Sequence, residues 1–67
     1  MSKKNSSTHS LLQIGTLIRT LREQKGLTQQ DFAKLLKTSQ SAVARIETGN
    51  QNLTTNEILK IGEVLHR

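Results

Sequence analysis

The stretch TQQDFAKLLKTSQSAVARIETG, residues 28–49, contains two short helical patterns with almost no chain between them. The apolar period of the first pattern stops at Leu36, and the second pattern begins at Gln40 after a capping serine. Only residues 37–39 therefore join the two helices. Helices joined this tightly cross at a steep angle instead of lying antiparallel.

Each of these two helices has local signals for where it begins and ends. Thr28 and Asp31 have the spacing of an N-cap with a favourable acid in the first turn, and Leu27 precedes them as one half of a hydrophobic staple. Ser39 caps the second helix, and Gly49 is expected to end it. The predicted core residues are Phe32, Leu35 and Leu36, with small Ala33 beside them, in the first helix, and Val43 and Ile46 in the second.

A longer amphipathic helix is predicted before this stretch. It should begin at Leu11, after a capping box formed by Ser10 and Gln13, and end before Gly26. Its apolar residues recur at the spacing of one helical face. They are Ile14, Leu17, Ile18 and Leu21.

A fourth helix is predicted after the turn residues 50–52. Thr54 and Glu57 form a T-x-x-E capping box, and Gly62 marks a place where a neighbouring helix could approach closely. The pattern stops at Arg67 with this helix barely complete, so we expect the domain to be truncated at that end. The staple pair is Leu53 and Ile58, and the residues predicted to face inward are Ile58, Ile61 and Leu65.

A chain of 67 residues is long enough for one domain at most. It contains no proline and no alternating apolar run. We therefore predict an all-α fold, a compact bundle of four short helices at residues 11–67. Residues 1–10 are polar and basic, and a disordered tail is predicted there.

The composition narrows the function. A net charge of +5 and a pI near 10.3 favour a polyanionic partner, either nucleic acid or an anionic membrane surface. No apolar run approaches the ~20 residues that cross a bilayer, and no signal peptide is visible, so a cytoplasmic location is predicted and a membrane partner is not. The chain has no cysteine, and His9 and His66 stand near opposite ends. No metal, cofactor or catalytic residue is therefore predicted, and the chain is not expected to be an enzyme.

The narrow apolar stripe of the helix at residues 40–48 leaves its opposite face for another role. If Val43 and Ile46 face the core, the other side shows Gln40, Ser41, Ala44 and Arg45. Glutamine pairs with adenine and arginine with guanine in the major groove, where the second helix of a helix-turn-helix lies. A solvated helix face is the competing interpretation. The pattern favours DNA binding.

Residues 14–65 resemble the Cro/C1-type (XRE-family) helix-turn-helix domain of phage repressors and bacterial regulators. The resemblance implies a lambda-repressor-like bundle of five helices, with Gln40–Thr48 as the recognition helix. The fifth helix is missing here, which puts dimerisation in doubt. The residues that carry the resemblance are Arg22, Gly26, Leu27, Thr28, Gln29, Ala33, Ser39, Val43, Arg45, Ile46, Glu47 and Gly49.

The resemblance also implies roles for individual residues. Gln29 contacts a phosphate and can brace Gln40. Apart from the resemblance, Lys37 is a candidate phosphate contact, with a solvated lysine as the competing interpretation. Arg22 and Glu47 match a structural ion pair, with a phosphate contact of Arg22 as the alternative. The base contacts implied are Gln40, Ser41, Ala44 and Arg45, and the remaining phosphate contacts are Asn50, Gln51 and Asn52.

One residue departs from the family pattern. Lys37 stands where the tight turn usually has glycine or asparagine. Either this lysine adopts a left-handed conformation, which costs on the order of 1 kcal/mol, or the turn has a different geometry.

The predicted function is sequence-specific binding of double-stranded DNA, as a transcriptional regulator and with a homodimer left open. One alternative is the N-terminal helix-turn-helix module of a larger protein with a fused C-terminal domain. That domain could be a metabolic enzyme such as a cell-wall-precursor carboxyvinyltransferase. A second alternative is the antitoxin of a toxin–antitoxin pair.

Overall fold

The computed structural model describes the backbone of residues 6–66 and the side chains of residues 11–66. Within that part the chain forms four helices and no strand, which confirms the predicted all-α fold. Of the tail predicted at residues 1–10, residues 1–5 lie outside the described residues, and residues 6–10 belong to the first helix. The helices are α1 (Ser6–Gln24), α2 (Gln29–Leu36), α3 (Gln40–Glu47) and α4 (Thr55–His66).

The beginning of α1 differs from the prediction. The helix begins at Ser6, so the expected start at Leu11 is wrong and residues 10 and 13 lie inside the helix instead of capping it. No glycine or proline occurs between Ser6 and Leu11 to stop the helix, and the helix penalty of serine and threonine is small. The apolar period therefore marked where packing begins, not where the helix begins.

The predicted N-caps of the later helices are confirmed. Thr28 and Asp31 form a reciprocal capping box at the start of α2, with both hydrogen bonds 3.0–3.1 Å long. The Ser39 side chain accepts from the Ala42 N–H at 3.1 Å at the start of α3. Thr54 and Glu57 form the same box before α4, at 2.9 and 3.1 Å.

Three helices end through one backbone pattern, in which a left-handed residue follows the last turn. Gly26 and Gly49 take this position after α1 and α3, with φ of +73° and +76°. Lys37 takes it after α2 with φ 61° and ψ 47°, and its N–H donates to the Lys34 carbonyl at 3.1 Å. The tight turn thus keeps the geometry that suits glycine, and lysine bears the strain.

The core lies where α2 crosses α3. Phe32 and Val43 are fully buried there, so the predicted packing of α3 through Val43 and Ile46 is confirmed. The residues that form the core cluster are Ile18, Phe32, Ala33, Leu36, Val43, Ile46, Ile61 and Val64.

Several predicted core residues are exposed instead. Ile14 and Leu17 of α1 are 39% and 57% exposed, Leu35 is 46% exposed and Ile58 is 50% exposed. The reason is that α1 and α4 leave an open apolar groove of about 500 Å³ between them, which Ile14, Leu17 and Ile58 line. The buried face of α2 consists of Phe32, Ala33 and Leu36, and Leu35 lies outside it.

Ile18 is buried as predicted, but the rest of the packed stripe of α1 differs from the prediction. Among residues 11–24 the buried ones are Gly15, Ile18 and Arg22, at the i, i+3, i+7 spacing of one face. A Cβ at Gly15 would fall on the Ile46 carbonyl oxygen and lie 2.8 Å from that of Glu47, so only glycine lets α1 cross α3 this closely. Gly62, predicted to allow a close approach, has nothing within 4 Å of a built Cβ, and that prediction is wrong.

Candidate nucleic-acid interface

The outward face of α3 carries the side chains that the sequence singled out. Gln40, Ser41 and Arg45 are exposed and Ala44 is half-buried, while Val43 and Ile46 hold the opposite side in the core. The helix is therefore anchored along one edge and leaves a polar, cationic strip along the other. An amide, a hydroxyl and a guanidinium on one exposed helix face have the chemistry to read base edges.

The N-terminal ends of α2 and α3 meet at this strip. Gln29, the first residue of α2, accepts a hydrogen bond on its Oε1 from Nε2 of Gln40, the first residue of α3, over 3.4 Å. The brace between these glutamines, which the resemblance implied, is therefore present in the structure.

Behind the strip lies a buried ion pair. Arg22 Nε donates to Glu47 Oε2 at 2.6 Å and Arg22 Nη2 to Oε1 at 3.2 Å, and the two side chains are only 8% and 3% exposed. Arg22 Nη1 also donates to the Leu27 carbonyl at 2.7 Å. The hydrogen bond that Arg22 donates to Glu47 raises the pKa of Arg22, which favours the charged guanidinium. Arg22 is thus committed to linking α1 with α3 and with the turn after α1.

The ion pair also contacts the glutamine brace. Gln29 Nε2 donates to Glu47 Oε1 at 3.1 Å, which joins the buried carboxylate to the surface through one side chain. Sequence reasoning missed this bond, because residues 29 and 47 are 18 positions apart and lie on different helices. Every buried side-chain nitrogen and oxygen in the described part of the chain has a hydrogen-bond partner.

The loop after α3 is fixed against the C-terminal end of that helix. Arg45 Nε donates to Gln51 Oε1 at 3.0 Å, and the Asn50 N–H donates to the Arg45 carbonyl at 2.8 Å. Asn50 Nδ2 donates to Thr48 Oγ1 at 3.0 Å, and Asn52 is exposed. Arg45 is therefore oriented by the loop whose residues were predicted to contact phosphate.

Lys37 lies close to this loop. It lines a recess of about 150 Å³ together with Gln51, between the turn after α2 and the beginning of α4. Lys37 is exposed, so its ammonium is available to an anion. Lys37 and Gln51 thus line the same recess, while the turn that contains Lys37 leads directly into the beginning of α3 at Gln40.

The described residues contain no cluster of three or more histidine or acidic side chains that could hold a metal ion. Within the same part of the chain no helix is long and apolar enough to cross a membrane. The Asp31 carboxylate serves as part of a helix cap. It accepts a hydrogen bond from the backbone N–H of Thr28, and this bond lowers the pKa of Asp31.

Comparisons with known proteins agree with this geometry. The profile of the family described as helix-turn-helix matches residues 18–67. The chain is similar to the restriction-modification controller protein C.AhdI from Aeromonas hydrophila, with 34% identity, a TM-score of 0.83, and coverage of 88% of this chain and 86% of that one. The clp gene regulator ClgR from C. glutamicum shares the fold, at 18% identity and a TM-score of 0.79 over 97% of this chain and 81% of that one. No match was found among curated proteins.

Proposed function

Since the chain belongs to the Cro/C1-type helix-turn-helix family, we propose that it binds double-stranded DNA sequence-specifically and regulates transcription. The observation that carries the proposal is the exposed strip of α3, where Gln40, Ser41 and Arg45 project from a helix whose other edge is in the core. In this arrangement α3 lies in the major groove with its N-terminal residues toward base edges. Its role requires binding alone and no chemical step.

Each proposed base contact follows from the hydrogen-bonding groups of its side chain. Gln40 offers an amide to adenine, and Arg45 offers a guanidinium to guanine, with its Nε held by Gln51 at 3.0 Å. The Ser41 hydroxyl both donates and accepts hydrogen bonds, so it can contact the edge of either base. Ala44 is small and half-buried, so it lets the helix approach the groove floor and contacts a base by its methyl group.

Phosphate contacts flank this strip at both ends. Gln29 begins α2, where free backbone N–H groups favour an anion. The loop residues Asn50, Gln51 and Asn52 follow the other end of α3, and Lys37 lines a recess together with Gln51. Two phosphate clamps on either side of α3 would set its register on the duplex.

A homodimer on a palindromic site is the arrangement that we propose for binding. The apolar groove between α1 and α4 leaves large side chains such as Leu17 and Ile58 half exposed, and a second copy would remove them from water. A fused C-terminal domain is the second arrangement that would cover this groove. The proposed location is the cytoplasm, where bacterial DNA lies.

The similarity to C.AhdI suggests a more specific version of the proposal. The two chains share 34% identity over most of both lengths, so control of a restriction-modification system is a candidate role for this protein. The relatives found are regulators, and neither a fused cell-wall enzyme nor an antitoxin gains support from them. A binding site upstream of adjacent endonuclease and methyltransferase genes would favour this role.

Selection from a random duplex library tests the proposal. One enriched sequence is expected, in two inverted halves if a dimer binds. Arg45→Ala should then relax the preference at one base pair by roughly 1–3 kcal/mol and leave the others unchanged. Arg19→Ala is the matched control, because Arg19 is an exposed arginine of α1 that pairs with Glu23. Equal weakening on all sequences would make Arg45 a phosphate contact, and no enrichment at any salt concentration would contradict the proposal.

A further inference from the structure

We propose that Glu47 is a positioning residue for DNA reading: the buried ion pair, acting through Gln29, fixes the direction in which the Gln40 amide faces the bases. The inference rests on the proposed function, because it assigns the origin of specificity at one base pair. It starts from three consecutive hydrogen bonds that lead from the interior to the surface.

The first step is the fixed carboxylate. Arg22 holds Glu47 with two nitrogens on two oxygens, at 2.6 and 3.2 Å, and donates a third bond to the Leu27 carbonyl. A fork of this kind fixes the plane of the carboxylate as well as its position. Glu47 therefore presents Oε1 toward Gln29 in one orientation.

The second step is the direction of the Gln29 amide. An ionised carboxylate only accepts hydrogen bonds, so the group that faces Glu47 Oε1 at 3.1 Å must be the NH₂ of Gln29. A flipped amide would place two acceptors against each other next to a buried charge. Gln29 Oε1 is consequently turned toward α3 as an acceptor.

The third step transfers this direction to Gln40. Gln29 Oε1 accepts from Gln40 Nε2 at 3.4 Å, which uses one of the two donors of that amide. One N–H and the oxygen of Gln40 are left in a fixed order on the exposed face. Adenine requires that pair, with the N–H on N7 and the oxygen on the N6 amino group. An amide that rotates freely offers donor and acceptor in either order.

A structural role alone predicts a different result. An ion pair that only links α1 with α3 would change stability, and its loss would weaken binding to every sequence alike. The positioning role predicts that the preference changes at the base pair read by Gln40 and at no other. It also predicts that the change requires Gln40.

The test is library selection with Glu47→Gln, which keeps the shape but lets either end of a neutral amide face Gln29. The preference at the Gln40 base pair should fall roughly five- to hundredfold, the range that one bidentate contact spans, and the preference at the Arg45 base pair should stay. In a Gln40→Ala background Glu47→Gln should cause no further change. Glu23→Gln is the matched control, because it removes the same charge and touches Arg22 only at 3.9 Å.

A second variant tests the positioning role if Glu47→Gln does not fold. Gln29→Met removes the relay and leaves the Arg22–Glu47 pair intact, so it should cause the same change at the same base pair, together with uniform weakening from its lost phosphate contact. Folded Glu47→Gln protein with unchanged preference overturns the positioning role, and so does unchanged preference in Gln29→Met when Glu47→Gln does not fold. Wild-type protein that selects no sequence contradicts the proposed function itself, and the positioning role with it.

Discussion

At the scale of single residues, Lys37 bears a conformational cost that a glycine would avoid. It is the one non-glycine residue with positive φ in the described part of the chain, and its cap hydrogen bonds match those after Gly26 and Gly49. The lysine also lines the recess that Gln51 lines. If Lys37 contacts a phosphate, as we propose, binding and stability compete at this position.

Lys37→Gly should stabilise the fold by up to about 1 kcal/mol, because it removes the left-handed strain. For a domain of this size that corresponds to a melting temperature higher by roughly 4–8 °C. Lys37→Gln is the control, since it removes the charge and keeps the Cβ. Equal melting temperatures for the two variants would show that strain is absent from the turn.

The Arg22–Glu47 pair supplies the largest predicted loss of stability. Glu47→Ala leaves a guanidinium buried without its partner, which typically destabilises by about 3–5 kcal/mol. A 67-residue domain has little stability to lose, so much of the protein should be unfolded at 37 °C. Arg22→Met combined with Glu47→Leu should recover part of the loss in urea unfolding, because no charge is then left alone. An unchanged melting temperature of Glu47→Ala would exclude the structural role.

At the scale of elements, the crossing of α1 over α3 depends on one glycine. A Cβ at Gly15 would meet the carbonyl oxygens of Ile46 and Glu47, which are backbone atoms and cannot rotate away. We expect Gly15→Ala to destabilise by about 1–3 kcal/mol, as overpacking does. Gly62→Ala is the matched control within α4, where nothing lies within 4 Å, and it should stabilise by about 0.5–1 kcal/mol. Thermal unfolding of both variants measures the contrast, and two changes of the same sign would contradict it.

The capping box of α2 makes one contribution to stability depend on pH. The Thr28 N–H lowers the pKa of Asp31 from its usual value of 3.8, so the folded state favours the ionised acid. The contribution is therefore complete above pH 3.8 and is lost as the pH falls through the lowered pKa. At pH 7 the melting temperature of the wild-type protein should be higher than that of Asp31→Asn, and this difference should shrink in acid. A difference that persists at pH 2 would assign the effect to something other than this charge.

The caps could be predicted from the sequence because their signals are local. Thr28, Ser39 and Thr54 each bind a backbone or side-chain group three residues away, so spacing alone identifies them. The faces of α1 and α4 could be predicted only in part, with Ile18 and Ile61 buried as expected. Gly15 and Arg22 are buried and Leu17 is exposed, since contact with α3, not hydrophobicity, selects the packed stripe. The bond from Gln29 to Glu47 spans two helices and leaves no pattern in the sequence.

At the scale of the whole molecule, the described structure carries two unlike surfaces. One is the polar strip of α3 with its flanking loop, and the other is the apolar groove between α1 and α4. The net charge of +5 draws a polyanion toward the protein at long range. The polar strip suits DNA, and the apolar groove suits the second copy that we propose to cover it.

The charge predicts how binding responds to salt. Each phosphate neutralised by a cation releases counterions, so the logarithm of the association constant should fall linearly with the logarithm of salt concentration, by about 0.9 per contact. Lys37→Gln should make this slope shallower by about 0.9 on the selected sequence and on a scrambled duplex alike, because a phosphate contact carries no sequence information. Arg19→Gln should leave the slope unchanged, since Glu23 already offsets its charge. Titrations from 50 to 300 mM salt, or about that range, measure all three slopes. If Lys37→Gln has the wild-type slope on both duplexes, Lys37 is a solvated lysine, and its left-handed strain has no function in DNA binding.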